Sequence, residues 1–230
     1  MTDTTADANS PGPETTETRS MMQVWDPVVR IGHWVLVGGF LICYLTEGEP
    51  EWLHNNVGYL VAITVILRLV WGFIGPKHAR FSDFVRGPGA ALGYLRDELS
   101  GKAKRFIGHN PAGGLMALAL LASLGATTYT GMAMLAEEGE GPLASVMGPT
   151  AQVAVVGPAL ADEDEHEEYG EHGGETGGHG EAGEQWEEIH EFFANTTLVL
   201  MALHILGVIA SSTAHRENLV RAMIDGRKRA

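Results

Sequence analysis

Ten histidines are spread along the 230-residue chain. Four of them, His33, His54, His190 and His204, fall within or at the edges of long apolar stretches. Imidazole in an apolar setting can ligate a metal, relay a proton or simply pack. His190 and His204 are 14 residues apart. At 3.6 residues per turn this leaves about 40° of net rotation, so both project from nearly one face of a helix, about 21 Å apart along its axis. His33 lies near the end of its stretch that matches the depth of His204. His54 opens its stretch at the depth of His190. Two pairs result, His33 with His204 and His54 with His190.

Two imidazoles from two helices are the axial ligands of a six-coordinate haem iron, which leaves no open position and suits electron transfer. The chain has no Cys-x-x-Cys-His, so such a haem is of b type and held non-covalently. Two haems stacked along a bundle would relay electrons across it. A proton relay or a metal transporter uses similar histidines, and spacing alone leaves those readings open. Arg68 lies 14 residues after His54, hence on nearly the same face and near the opposite surface. A charge inside an apolar span costs about 2.5–3.5 kcal/mol on insertion scales and usually has a partner. A haem propionate is the natural anion for Arg68, and Arg30 is a second cation at that depth.

The elements that must position these residues are visible as uncharged runs. Ile31 to Thr46 has no Asp, Glu, Lys or Arg, and Trp52 to Pro76 is interrupted only by Arg68. Phe106 to Ala136 and Phe192 to Ala214 are uncharged throughout. A bilayer-spanning helix needs about 20 mostly apolar residues. Four spans are therefore expected, at about 28–46, 53–75, 110–135 and 190–213, the first helped by Arg30 snorkelling to the interface. A fifth uncharged run, Pro142 to Ala161, is broken by three Gly-Pro pairs and is read as loop.

Charge gives the orientation. Of 29 Asp and Glu, 16 lie between Ala136 and Glu191 with no Lys or Arg among them, so the formal charge of −14 comes from one segment and the rest is near neutral, at +2. The segment from Pro76 to Asn110 and the tail after Ala214 are basic, which places both in the cytoplasm by the positive-inside rule. The N- and C-termini are then cytoplasmic, and the acidic loop 136–189 is periplasmic. Residues 1–21, rich in Thr, Asp, Pro and Glu, read as a disordered tail without signal-peptide character. The single cysteine, Cys43, excludes a disulfide framework and a Cys-based zinc or iron–sulfur site. Net acidity argues against nucleic acid as a partner. The acidic loop reads as a solvated segment, as an electrostatic dock for a basic periplasmic cytochrome c or similar donor, or as a weak divalent-metal site using His166, His172 and His179.

Several strings then carry a family likeness. Span one opens Val24-Trp25-Asp26-Pro27-Val28-Val29-Arg30-Ile31-Gly32-His33-Trp34. Span two runs from Leu53-His54 to Arg68-Leu69-Val70-Trp71-Gly72-Phe73, followed by Ala79-Arg80-Phe81. Gly108-His109-Asn110-Pro111 precedes span three, and Glu191-Phe192-Phe193-Ala194-Asn195 follows His190. Over about residues 22–135 and 186–229 the chain resembles the prokaryotic cytochrome b561 family, which also holds the b-type cytochrome subunits of nickel–iron hydrogenases. The resemblance implies an all-α, integral membrane four-helix bundle over 22–230 that binds two b haems in the bacterial inner membrane. It implies ligands on spans one, two and four, which match His33, His54, His190 and His204. It also implies that His109 and Asn110 lie near a haem edge or quinone pocket, although a helix starting at Pro111 accounts for the same residues. The implied function is electron transfer between the quinone pool and a redox partner, such as a periplasmic cytochrome c or a hydrogenase- or dehydrogenase-type subunit, with a homodimer among the assemblies allowed. Competing readings are a self-sufficient quinol:superoxide or other quinol-linked oxidoreductase, and a histidine-using metal or proton transporter. The loop between spans three and four is longer than in compact members, at the place where a partner would dock.

Overall fold

Each long apolar run becomes one helix. The computed structural model describes residues 21–147 and 181–229. A short strand, β1 (Met21–Gln23), leads into α1 (Pro27–Thr46) and α2 (Glu51–Ile74). A 3-10 turn (Lys77–Ala79), α3 (Phe81–Phe84) and α4 (Pro88–Leu99) connect to α5 (Pro111–Glu137) and the one-turn α6 (Ala144–Met147). The chain is described again from α7 (Glu181–Ala214), which is followed by α8 (Leu219–Asp225) and β2 (Arg227–Arg229). Among the described residues, α1, α2, α5 and α7 are long and apolar enough to cross a membrane. The expected tail and most of the acidic loop, with His166, His172 and His179, lie outside the described residues.

The helix boundaries follow local chemistry. Asp26 caps α1, its Oδ1 accepting from the N–H groups of Val28 (3.0 Å) and Val29 (3.2 Å), with Pro27 in the first turn. The same oxygen accepts from Trp71 Nε1 at 3.2 Å, which joins the start of α1 to the end of α2. The Trp25-Asp26-Pro27 and Arg68-x-x-Trp71-Gly72-Phe73 strings are thus two halves of one contact. Asn110 caps α5 by accepting from Gly113 N–H at 2.6 Å, with Pro111 in the first turn.

The four long helices run antiparallel to their neighbours. One end of the bundle carries the basic segments, with His33, Arg68 and His204. The other carries Glu47, Glu49 and Glu51, with His54 and His190. Between the two histidine levels, Phe40 of α1, Val61 and Val65 of α2 and Leu124 of α5 form a buried cluster, joined by Leu198 and Met201 of α7. Gly39 lets α1 approach α2 there, since a Cβ would come within 2.5 Å of Val61 Cγ2. Polar side chains tie α5 to α7 at the same depth: Ser123 Oγ and Thr197 Oγ1 are 2.7 Å apart, and Thr197 is buried. Outward faces are aliphatic and exposed, as on α2 at Ile63, Ile66, Leu67 and Val70, which is the surface that lipid would cover.

Two features differ from the sequence expectation. α7 starts at Glu181, well before residue 190, its first turns carrying Glu184, Glu187 and Glu188 beyond the apolar span. Glutamate is a good helix former and is favoured at the positive end of the helix dipole, and Trp186 packs against Tyr129 of α5. The all-α reading also omits the antiparallel ribbon in which Met21, Met22 and Gln23 face Arg229, Lys228 and Arg227. An Arg-Lys-Arg run has no strand signal of its own. Tertiary ties hold it: Lys228 Nζ donates to the carbonyls of Phe106 (3.2 Å) and Ile107 (3.0 Å), and Arg229 Nη2 to those of His215 and Arg216. Glu217, its side chain 7% exposed, lies 3.7 Å from Lys228 and also pairs with Arg105 and Arg229.

Candidate functional site

The structure brings the four histidines together as two pairs. His33 of α1 and His204 of α7 meet at the basic end, with ring centroids 6.4 Å apart and planes inclined at 64°. His54 of α2 and His190 of α7 meet at the acidic end, with centroids 6.2 Å apart and the same inclination. These separations lie in the range of edge-on ring contacts, and they are also those of two imidazoles sharing one metal atom. A first-row metal–imidazole bond is about 2 Å, and the ring centroid lies about 1.1 Å beyond the nitrogen, so an atom held between two trans imidazoles separates their centroids by about 6.3 Å. Among the described residues no group of three or more His, Cys, Asp or Glu could hold a metal ion; the imidazoles meet in twos.

The surroundings of His190 define its tautomer. Its Nδ1 lies 2.9 Å from the Thr127 carbonyl and 3.2 Å from Thr130 Oγ1. A carbonyl only accepts, so Nδ1 carries the proton and Nε2 keeps the lone pair, as a metal-ligating imidazole requires. Gly131 makes room for the ring, because a Cβ there would lie 3.1 Å from His190 Cε1. Sequence reading did not single out Thr127, Thr130 or Gly131. One signal was present: they lie on the face of α5 that a ligand on α7 must approach. His54 has a buried Nδ1 without a partner, and Cys43 Sγ donates to the His54 carbonyl at 3.7 Å. At the basic end His33 is edge-on to Trp34, with centroids 5.2 Å apart.

The two candidate cations have different surroundings. Arg68 has its guanidinium carbon 5.3 Å from the centre of the Phe81 ring, and its Nη1 is buried without a partner. Gly72, one turn along, is the reason Phe81 fits, because any Cβ there would run into that ring. A buried guanidinium nitrogen without an acceptor calls for an anion, and a haem carboxylate would supply one. Arg30 instead turns toward the C-terminal segment, its Nη2 donating to the Ile224 carbonyl.

His109 lies between Trp25 and Phe84, with ring centroids 4.6 and 4.4 Å away, and its Nδ1 is buried without a partner. Burial, reinforced by the charges of Arg68 and Lys228, pushes its pKa down to about 3, so it is neutral at physiological pH. Asn110 is occupied by its cap on α5. Next to this region Tyr94 of α4 is buried, its hydroxyl 3.2 Å from His215 Nε2, and burial pushes its pKa up.

The residues present fit haem on three observations: imidazole pairs at a separation that two imidazoles on one metal atom would have, an imidazole tautomer held by a backbone carbonyl, and buried polar atoms on Arg68 and His54 that lack partners. The model for prokaryotic cytochrome b561 matches residues 24–226. A probable Ni/Fe-hydrogenase B-type cytochrome subunit of Rhizobium leguminosarum bv. viciae is 26% identical over 125 residues, which is 40% of this chain and 50% of that protein. The chain thus spans about half the length of the curated relative it matches. No solved structure matches. With four helices long and apolar enough to cross a membrane and a family match over nearly its whole length, the chain belongs to the prokaryotic cytochrome b561 family and is a multi-pass membrane protein.

Proposed function

We propose that this cytochrome holds two b haems, one between His33 and His204 and one between His54 and His190, and carries electrons between the quinone pool and a redox partner. The observation that carries the reading is the pair of imidazole–imidazole gaps, 6.4 and 6.2 Å between centroids, at the two ends of one helix. Haem b, when bound, supplies a one-electron ferric/ferrous couple. The chain's own residues do the rest. α7 contributes one ligand to each site and so sets the spacing between them. The Thr127 carbonyl orients the His190 ring and raises its basicity. Arg68 balances carboxylate charge at the basic end. The Phe40, Val61, Val65 and Leu124 cluster fills the space between the two sites with apolar atoms.

The basic segments favour the cytoplasmic face of a bacterial inner membrane for the His33/His204 end. His54/His190 then face the periplasm, beneath the acidic turns of α7. Those carboxylates favour a cationic periplasmic electron carrier, and the hydrogenase subunit name of the relative suggests a membrane-complex partner of that class. The experiment is anaerobic mixing of the oxidised, purified cytochrome with a short-chain quinol while the b-type absorption bands are followed. The reading expects reduction of the haems by quinol alone, and reoxidation by added quinone. Haems that dithionite reduces but quinol leaves oxidised would overturn the quinone assignment.

A further inference from the structure

A groove of about 400 Å³ opens on the outward surface at the basic end, between α1 and α8. It is lined by Arg30, Ile31, Trp34, Val35, Met223 and Ile224. None of these six is acidic. Ile31 is 65% exposed and Ile224 57% exposed, which solvent would not favour on this scale. Val28, Ile31 and Trp34 recur at i, i+3 and i+6, so the groove continues the outward apolar face of α1, where lipid covers a spanning helix. Trp34 lies one turn beyond Arg30, at the depth where tryptophan marks the membrane interface.

We propose that this groove binds one anionic phospholipid of the leaflet at the basic end, its phosphate against the Arg30 guanidinium and an acyl chain along Ile31, Val35 and Ile224. The charge of the region selects the class of ligand. Residues 77–105 and 215–230 carry twelve Lys and Arg against five Asp and Glu, so an anionic head group is drawn to this end and a neutral one gains nothing from it. Arg30 lines the groove; its Nη2 is taken by the Ile224 carbonyl, while its Nε is buried without a protein partner. The tie to Ile224 fixes one wall of the groove to the cation, so the polar and apolar parts of the site are built together. The site is separate from the two histidine pairs, and its test does not depend on haem.

The full-length protein, delipidated in detergent, is titrated with phosphatidylglycerol or phosphatidylcholine, and bound lipids are counted by native mass spectrometry. One phosphatidylglycerol per chain is expected to bind in preference to phosphatidylcholine. Arg30→Gln should weaken phosphatidylglycerol binding about fivefold, the effect of one surface cation. Because that change also breaks the Ile224 tie, Ile224→Trp is the cleaner variant: it fills the groove and keeps the backbone carbonyl, and it should abolish the preferential lipid. Equal binding of the two phospholipids, or native phosphatidylglycerol binding by Ile224→Trp, would overturn the proposal. So would displacement of the lipid by a short-chain quinone, which would mark the groove as a quinone site.

Discussion

Replacing Gly131 by alanine brings a methyl group against His190 and perturbs one site alone. The new Cβ would lie 3.1 Å from Cε1 and 3.3 Å from Nδ1, so the ring must yield by a few tenths of an ångström. That ring is tethered through its Nδ1–H to the Thr127 carbonyl at 2.9 Å, and any retreat from α5 stretches the tether. A neutral hydrogen bond contributes about 1 kcal/mol. This one makes the imidazole more basic and so favours the oxidised iron. For a one-electron couple a tenfold change in equilibrium is about 59 mV; only the part of the bond's strength that differs between oxidised and reduced iron counts, so its complete loss raises the potential by at most about 40 mV and stretching raises it by less. Gly131→Ala should therefore raise one of two midpoint potentials by about 10–40 mV and leave the other in place. A spectroscopic redox titration resolved into two components measures this. Equal shifts of both components, or a shift confined to the one that His204→Ala removes, would refute the assignment of His190 to its own site.

Gly72→Ala forces Phe81 off the Arg68 face, and overpacking of this kind costs about 1–3 kcal/mol; a lowered thermal midpoint in detergent checks it. Thr197→Val removes the 2.7 Å hydrogen bond to Ser123 and should cost about 0.6 kcal/mol, the average for such bonds between spans, measured by denaturation in mixed micelles. Glu217 gives a pH signature. Burial pulls its carboxyl up, but the Arg105 hydrogen bond and the charges of Lys228, Arg105 and Arg229 outweigh it and hold the pKa below the ordinary value. Its contribution is then fully present above the unfolded pKa of about 4.3 and is lost as pH falls through the folded pKa. The stability gap between the native protein and Glu217→Gln should be constant above about pH 5 and close below about pH 4.

The four spans were legible because bilayer-crossing segments must be long and uncharged, and the one interrupting charge, Arg68, was itself informative. The histidine pairs were legible because a 14-residue interval returns to the same helix face. The residues that surround those histidines were not. Thr127 and Thr130 look like ordinary small residues of a spanning helix, and the bond to His190 comes from a backbone carbonyl, which no side-chain pattern encodes. Phe81 belongs to the Ala79-Arg80-Phe81 string, but its place over Arg68 depends on Gly72 being without a Cβ. The turn of Arg30 toward Ile224 and the pairing of β1 with β2 join residues about 200 positions apart in the chain. No local periodicity carries such a contact. The helical reach of α7 beyond its apolar part was missed because the span estimate counted hydropathy, whereas glutamates propagate a helix well in water.

We propose that two haems are held by His33, His54, His190 and His204. Haem b per chain, measured by the pyridine haemochromogen absorbance of the purified protein, tests it most directly when native protein, His204→Ala and His54→Ala are compared. Two haems per native chain and one in each variant are expected, with the two variants retaining spectrally and electrochemically different haems. One haem in the native protein, or two in either variant, would contradict it.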